Sequence, residues 1–148
     1  MFRQYWTESI VPVQWNIVRS RARVLRGVHV HVRHADYLVL VEGRASIALV
    51  DLRNGSATRG MSVLLTVASQ DPQALVIPPG VAHGFLFHQP SIHFYAVSHY
   101  WDVEDELGCR WDDPGLELDW PEPDPRLSQR DKELPSLDEL RTKLSKVL

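Results

Sequence analysis

Two short segments carry most of the reactive side chains. Leu25-Arg26-Gly27-Val28-His29-Val30-His31 places two imidazoles two residues apart, and Ile77-Pro78-Pro79-Gly80-Val81-Ala82-His83-Gly84-Phe85 puts a third just after a stiff turn. In a strand, residues two apart share a face, so His29 and His31 point the same way. Imidazole serves as general base, substrate clamp or metal ligand. Turned inward, the pair requires a polar pocket, because buried imidazoles without partners cost desolvation. Turned outward, it is merely solvated. The alternating Val28, Val30 and Val32 suit a packed layer on the opposite face, which favours the pocket. Arg26 is three positions from His29, and strict alternation would send it to the other face. A bulge at Gly27 would re-aim it. Taken alone, His83 reads equally well as a capped turn residue.

The elements that must position these groups read as strands. Runs at 24–32, 36–42, 45–52, 61–68, 74–77, 84–87 and 92–98 are apolar or alternating and are separated by turn residues. That spacing predicts an all-β sandwich or barrel. Asn54-Gly55 is a tight-turn signal, Glu42-Gly43 a weaker one, and Pro78-Pro79-Gly80 cannot lie inside a central strand. Residues 102–107 are acidic and predict one helical turn. Residues 111–125, with four prolines and two tryptophans, predict an ordered loop packed on the barrel. From 135 onward the pattern is helical: Ser136 with Glu139 has capping-box spacing, and Leu137, Leu140, Leu144 and Val147 recur on one face.

Composition narrows the function classes. A chain of 148 residues, 44% hydrophobic, builds one core, so one domain spanning 1–148 is expected. Within it the reading places an N-terminal segment at 1–12, a barrel at 13–100, an ordered loop at 101–134 and a helix at 135–148. A net charge of -3 argues against nucleic acid as a partner. Arg19, Arg21, Arg23 and Arg26 form a basic run that fits either an exposed strand or the attraction of a phosphorylated substrate. The single cysteine, Cys109, cannot form an intramolecular disulfide. No signal peptide and no membrane span are expected, so the reading is a cytoplasmic protein.

The histidines also fit a metal site. Cupin barrels bind metal through His-x-His, an acidic residue, a glycine and a later Pro-x-Gly-x-x-His. Here His29 and His31, Asp36, Gly43 and the segment ending in His83 resemble that pattern. Three imidazoles and a carboxylate suit iron, manganese, nickel or zinc.

A longer set of motifs resembles the dTDP-4-dehydrorhamnose 3,5-epimerase (RmlC-like cupin) family from about Val13 to the C-terminus. The set comprises Val24-Leu25-Arg26-Gly27-Val28-His29, Val50-Asp51-Leu52-Arg53, the run from Ile77 to Phe85, Arg110-Trp111-Asp112-Asp113-Pro114 with Leu118-Asp119-Trp120-Pro121, and Leu127-Ser128-Gln129-Arg130-Asp131. The resemblance implies a cupin double-stranded β-helix, or jelly-roll, barrel with a short C-terminal helix, and a homodimer. It implies epimerisation at C3, C5 or both of a nucleotide-linked 4-keto-6-deoxyhexose without metal or cofactor. His29 matches the base, Asp119 the carboxylate that orients it, and Tyr95 the tyrosine that returns the proton. Arg26 matches the diphosphate-binding arginine. His83, Gln14, Asn16, Tyr100 and His31 fall at substrate-binding positions. Base and acid on different strands suit inversion of a carbon, and each contributes about 10²–10⁴-fold.

Four departures stand out. Asp36 occupies the place of the lysine credited with stabilising the enolate, whereas an enolate oxygen needs a positive or donating partner. His31 stands where glutamine is usual, and the two changes together move the frame toward a metal site. The chain is also shorter at its N-terminus than the family, and Ala96 replaces a lysine after Tyr95. Two further readings therefore accompany the epimerase: a metal-binding isomerase or oxygenase on His29, His31, Asp36 and His83, and a sugar-nucleotide-binding relative that does not epimerise.

Overall fold

Each run anticipated between 24 and 98 forms a strand in the computed structural model, which describes residues 11–147. Most of the expected N-terminal segment 1–12 lies outside the described residues. In chain order the strands are β1 (Gln14–Ser20), β2 (Leu25–Val30), β3 (Asp36–Glu42), β4 (Arg44–Asp51), β5 (Ser62–Ala68), β6 (Ala74–Ile77), β7 (Val81–Phe87), β8 (Ser91–Val97) and the two-residue β9 (Leu107–Gly108). They make two antiparallel sheets, one ordered β1-β8-β3-β6 and the other β5-β4-β7-β2-β9. Together these are the jelly-roll barrel that the motifs imply.

Glycine turns carry the chain between the sheets. Gly43, at φ 98°, passes it from β3 in one sheet to β4 in the other. A Cβ there would run into Ser91, so only glycine fits the corner. Pro78-Pro79-Gly80 makes the crossing from β6 to β7, where the Gly80 amide donates to the His31 carbonyl at 2.7 Å. Asn54-Gly55 does turn the chain, but inside a longer loop between β4 and β5. That loop is organised by the Asp51 carboxylate, which accepts both arms of Arg53 (2.9 and 2.7 Å) and the hydroxyls of Ser56 and Thr58 (2.6 Å each).

The larger core lies outside the barrel. Val28, Val30, Val50, Leu52 and Ala82 turn away from the interior and pack against Leu116 and the helix face Leu137, Leu140 and Leu144. The valines between the histidines therefore meet a layer made by the C-terminal third of the chain. The helix α2 (Leu137–Leu144) begins with the expected capping box of Ser136 and Glu139, and the Asp113 carboxylate accepts the Leu137 amide at 3.0 Å. Val147, expected on the buried face, is past the helix end and exposed. The acidic stretch forms one 3-10 turn, Val103–Asp105. The expected loop 101–134 also contains β9 and a short helix α1 (Gln129–Lys132), with Ser128 as its N-cap. No helix among the described residues is long and apolar enough to cross a membrane.

Candidate active site

Between the sheets lies a cavity of about 240 Å³. One wall is β1, β8 and β3, which contribute Gln14, Asn16, Asp36, His93 and Tyr95. The facing wall is β2 and β7, with Arg26, His29, His83 and Phe85. His31 and His34 follow β2. Trp101, Glu106, Ser128, Arg130 and Asp131 close the rim from the C-terminal third.

Arg26 and His29 share the cavity because the β2–β7 register shifts between them. The shift falls at Gly27, whose φ is 113° and whose hydrogen faces the His83 carbonyl closely enough that a Cβ would sit 2.7 Å from it. Downstream of the shift, His29 and His83 are cross-strand partners. The expected bulge is thus present. The basic run, by contrast, is split. Arg19 is exposed near the end of β1, Arg23 sits in a turn at φ 64° paired with Glu122 at 2.8 Å, and only Arg26 reaches the cavity, donating to Ser20 Oγ at 3.1 Å.

His29 Nε2 lies 2.7 Å from Asp131 Oδ1, and the other carboxylate oxygen accepts the Ser128 hydroxyl at 2.7 Å. Burial works against ionisation of Asp131, but the bonds from His29 and Ser128 outweigh it and leave its pKa below the ordinary value. Across the cavity, burial and then the nearby Asp36 and Glu106 raise the Tyr95 phenol above its usual pKa, so it stays protonated at neutral pH. Glu106 is ionised despite burial, held by His31 and by Arg130. Burial, then Arg26, lowers His93 to about 4. Two buried donors, Asn16 Nδ2 and His93 Nδ1, have no partner among the described residues. Gln14 is engaged with Asn16 Oδ1 at 3.1 Å and with the Trp101 amide at 3.0 Å.

This arrangement corrects two expected site residues. Asp119 is exposed and absent from the cavity lining; the carboxylate on His29 is Asp131. The Asp119-Trp120-Pro121 segment serves packing instead, with Trp120 against the outer core and its indole N–H on the Trp111 carbonyl at 3.1 Å. Tyr100 is 71% exposed and lies outside the cavity, where its neighbour Trp101 takes a place. The other expected residues (His29, Tyr95, Arg26, His83, Gln14, Asn16 and His31) all line it. Glu106, His34, His93 and Trp101 also line the cavity, and no motif marks them, whereas Asp131 is marked by its place in Ser128-Gln129-Arg130-Asp131.

The family model described as dTDP-4-dehydrorhamnose 3,5-epimerase matches residues 2–139. The chain belongs to the dTDP-4-dehydrorhamnose 3,5-epimerase family. It is 37% identical over 125 residues to the enzyme of that name from Pseudomonas aeruginosa, covering 82% of this chain and 69% of the relative. Its fold superposes on the rmlC epimerase of Mycobacterium tuberculosis with a TM-score of 0.84 at 34% identity, covering 89% of this chain and 70% of that one. The RmlC epimerase of Legionella pneumophila, solved in complex with dTDP-4-keto-L-rhamnose, superposes with a TM-score of 0.82 at 30% identity, covering 89% and 74%.

Proposed function

We propose that residues 1–148 act as one domain, an epimerase that inverts C3, C5 or both of a dTDP-linked 4-keto-6-deoxyhexose by removing and returning a proton beside the ketone. The observation that carries this reading is the placement of a carboxylate-held imidazole and a protonated phenol on opposite walls. His29 belongs to β2 and Tyr95 to β8, in different sheets across one cavity. Inversion needs that opposition, since the proton must leave from one face and return to the other.

The chemistry follows from the contacts. Asp131 binds His29 Nε2, which leaves Nδ1 as the nitrogen that takes the proton and supports the imidazolium that forms. Tyr95 supplies a proton to the opposite face of the enolate. Arg26, with its rigid fork on the cavity wall, suits the diphosphate. Asn16 and His93 offer free donors to sugar hydroxyls or the base. His83 and Gln14 complete the substrate walls.

The outward face of β1 supports a homodimer. Val13, Trp15 and Ile17 alternate with the cavity-lining Gln14 and Asn16 and leave large apolar surface exposed on an edge strand, Ile17 being 70% exposed. We place the enzyme in the cytoplasm, where a charged nucleotide-sugar is made and consumed.

The test is solvent deuterium wash-in at C3 and C5 of a dTDP-4-keto-6-deoxyhexose, followed by NMR. Exchange at one or both carbons is expected, and its absence at high enzyme concentration sinks the reading.

A further inference from the structure

The floor of the cavity holds a second constellation that the proton-transfer pair does not use. Three imidazole Nε2 atoms surround Asp36 Oδ2: His34 at 3.7 Å, His31 at 3.9 Å and His83 at 3.9 Å. These separations are too long for hydrogen bonds. No hydrogen bond to the Asp36 carboxylate is found among the described residues. All four side chains are buried.

The far side of each ring explains its orientation. His31 Nδ1 lies 3.1 Å from the Asp105 carbonyl, and His83 Nδ1 lies 3.3 Å from the Val81 carbonyl. His34 Nδ1 stands 3.2 Å from Asp105 Oδ2, close but not aligned as a hydrogen bond. Asp105 is itself fixed by the amides of Val32 and Arg33 at 2.8 and 3.1 Å. The carbonyls behind His31 and His83 can only accept, so their Nδ1 atoms carry the proton and their Nε2 atoms turn a lone pair toward Asp36; His34 presents its Nε2 to the same carboxylate oxygen. Backbone carbonyls and carboxylates behind imidazoles are how proteins orient metal-ligating histidines. Converging lone pairs and a carboxylate call for a cation at their centre.

The geometry points to a metal site: we propose that His31, His34 and Asp36, with His83 as fourth ligand, bind one divalent transition-metal ion of the zinc or iron(II) class. Candidate ligand atoms of His31, His34 and Asp36 lie within 4.8 Å of one another. Four ligands at the usual distance from a tetrahedral zinc ion stand about 3.4 Å apart, so closure requires the side chains to draw together by up to about 1 Å, with His83 joining from outside that trio at 3.9 Å from Asp36. Imidazole and carboxylate together suit this class of ion. His29 is outside the set, its Nε2 being bound to Asp131. The competing arrangement is a proton on His31 that neutralises Asp36 with no ion.

The role of the ion in turnover rests on the epimerase reading. Asp36 and Tyr95 line the same cavity from the paired strands β3 and β8, so an ion held by Asp36 would lie on the Tyr95 wall and would supply positive charge for the enolate oxygen.

The test begins without sugar. The full chain is stripped with a chelator, then titrated near neutral pH with Co²⁺ followed by visible absorption and with Zn²⁺ by calorimetry. One ion per chain with cobalt ligand-field bands is expected. His34→Ala and the near-isosteric Asp36→Asn should each weaken binding more than about 100-fold, with Asp36→Asn retaining cooperative unfolding. No stoichiometric uptake by the wild type, or unchanged affinity in both variants, overturns the site. Stoichiometric binding with no proton exchange in the loaded protein keeps the site and removes the epimerase reading. Exchange by a protein that binds neither ion does the reverse.

Discussion

Asp131 Oδ1 stands 2.7 Å from His29 Nε2 although 102 residues separate the two in the chain. The short helix α1, capped by Ser128, holds the carboxylate there, and Ser128 both donates its hydroxyl to Asp131 and accepts the Asp131 amide. A carboxylate bound on both oxygens cannot swing away, so the imidazole is fixed in ring plane and tautomer.

Asp131→Asn should therefore keep the fold and lose the charge that supports imidazolium, lowering kcat by about 10²–10⁴-fold. Asp119→Asn should leave kcat and KM unchanged, because Asp119 is exposed and away from the cavity. Steady-state kinetics on the pair decides between the two aspartates, and equal losses would contradict the geometry.

Tyr95→Phe separates the two halves of the reaction. The base on the opposite wall remains, so deuterium should still enter from the His29 face, while inversion falls by about 10²–10⁴-fold. NMR of the sugar in D₂O distinguishes retained exchange from lost inversion. Inversion at the wild-type rate would remove Tyr95 from the mechanism.

Gly27→Ala should damage both stability and site. The added Cβ would lie 2.7 Å from the His83 carbonyl and 2.8 Å from Gly84 Cα, at a φ of 113° that side chains avoid. Backbone strain of this kind costs about 1–3 kcal/mol before the clash is counted. At about 2–4 °C per kcal/mol for a domain of this size, thermal unfolding should fall by several degrees. Activity should fall with it, because the shift at Gly27 is what puts Arg26 and His29 on one face.

Acid should unfold the protein partly through Asp131. Its folded pKa is depressed below 3.8, so its contribution to stability is complete above that value and is lost as pH falls through the folded pKa. Denaturant midpoints should already decline below the ordinary imidazole value of 6.5, because burial keeps His34 and His93 neutral in the fold down to about 4, and should drop further below 3.8 as Asp131 is protonated. Asp131→Asn should show a shallower drop, and an identical acid limb in both proteins would show that the ion pair contributes nothing.

Burial, then Asp113, pushes the Cys109 thiol up to about 12, and the residue is fully enclosed in the outer core. Thiolate is the reactive form. Native protein should resist alkylation, with modification appearing only on unfolding, as mass spectrometry would record.

The pattern did not mark β1 or the two-residue β9, whereas the strands β2 to β8, the crossing at Pro78-Pro79-Gly80, the capped last helix and the shared face of His29 and His31 were legible in the chain. Each rests on neighbours within a few residues, where a period of two or a turn-forming residue leaves a direct mark. The bulge at Gly27 was legible for the same reason. The partner of His29 was not, since Asp119 and Asp131 are both carboxylates in motifs of the right kind. Their roles depend on how the C-terminal third wraps the outer core, which turns Trp120 inward and leaves Asp119 in solvent. The split of His-x-His is also tertiary. The two rings share a face, yet one meets α1 and the other meets His34, Asp36 and the Asp105 turn. Local sequence determined which side chains face the interior. Which of them meet was decided by the stacking of two sheets and the return of a distant segment, because contacts across a barrel leave no local period.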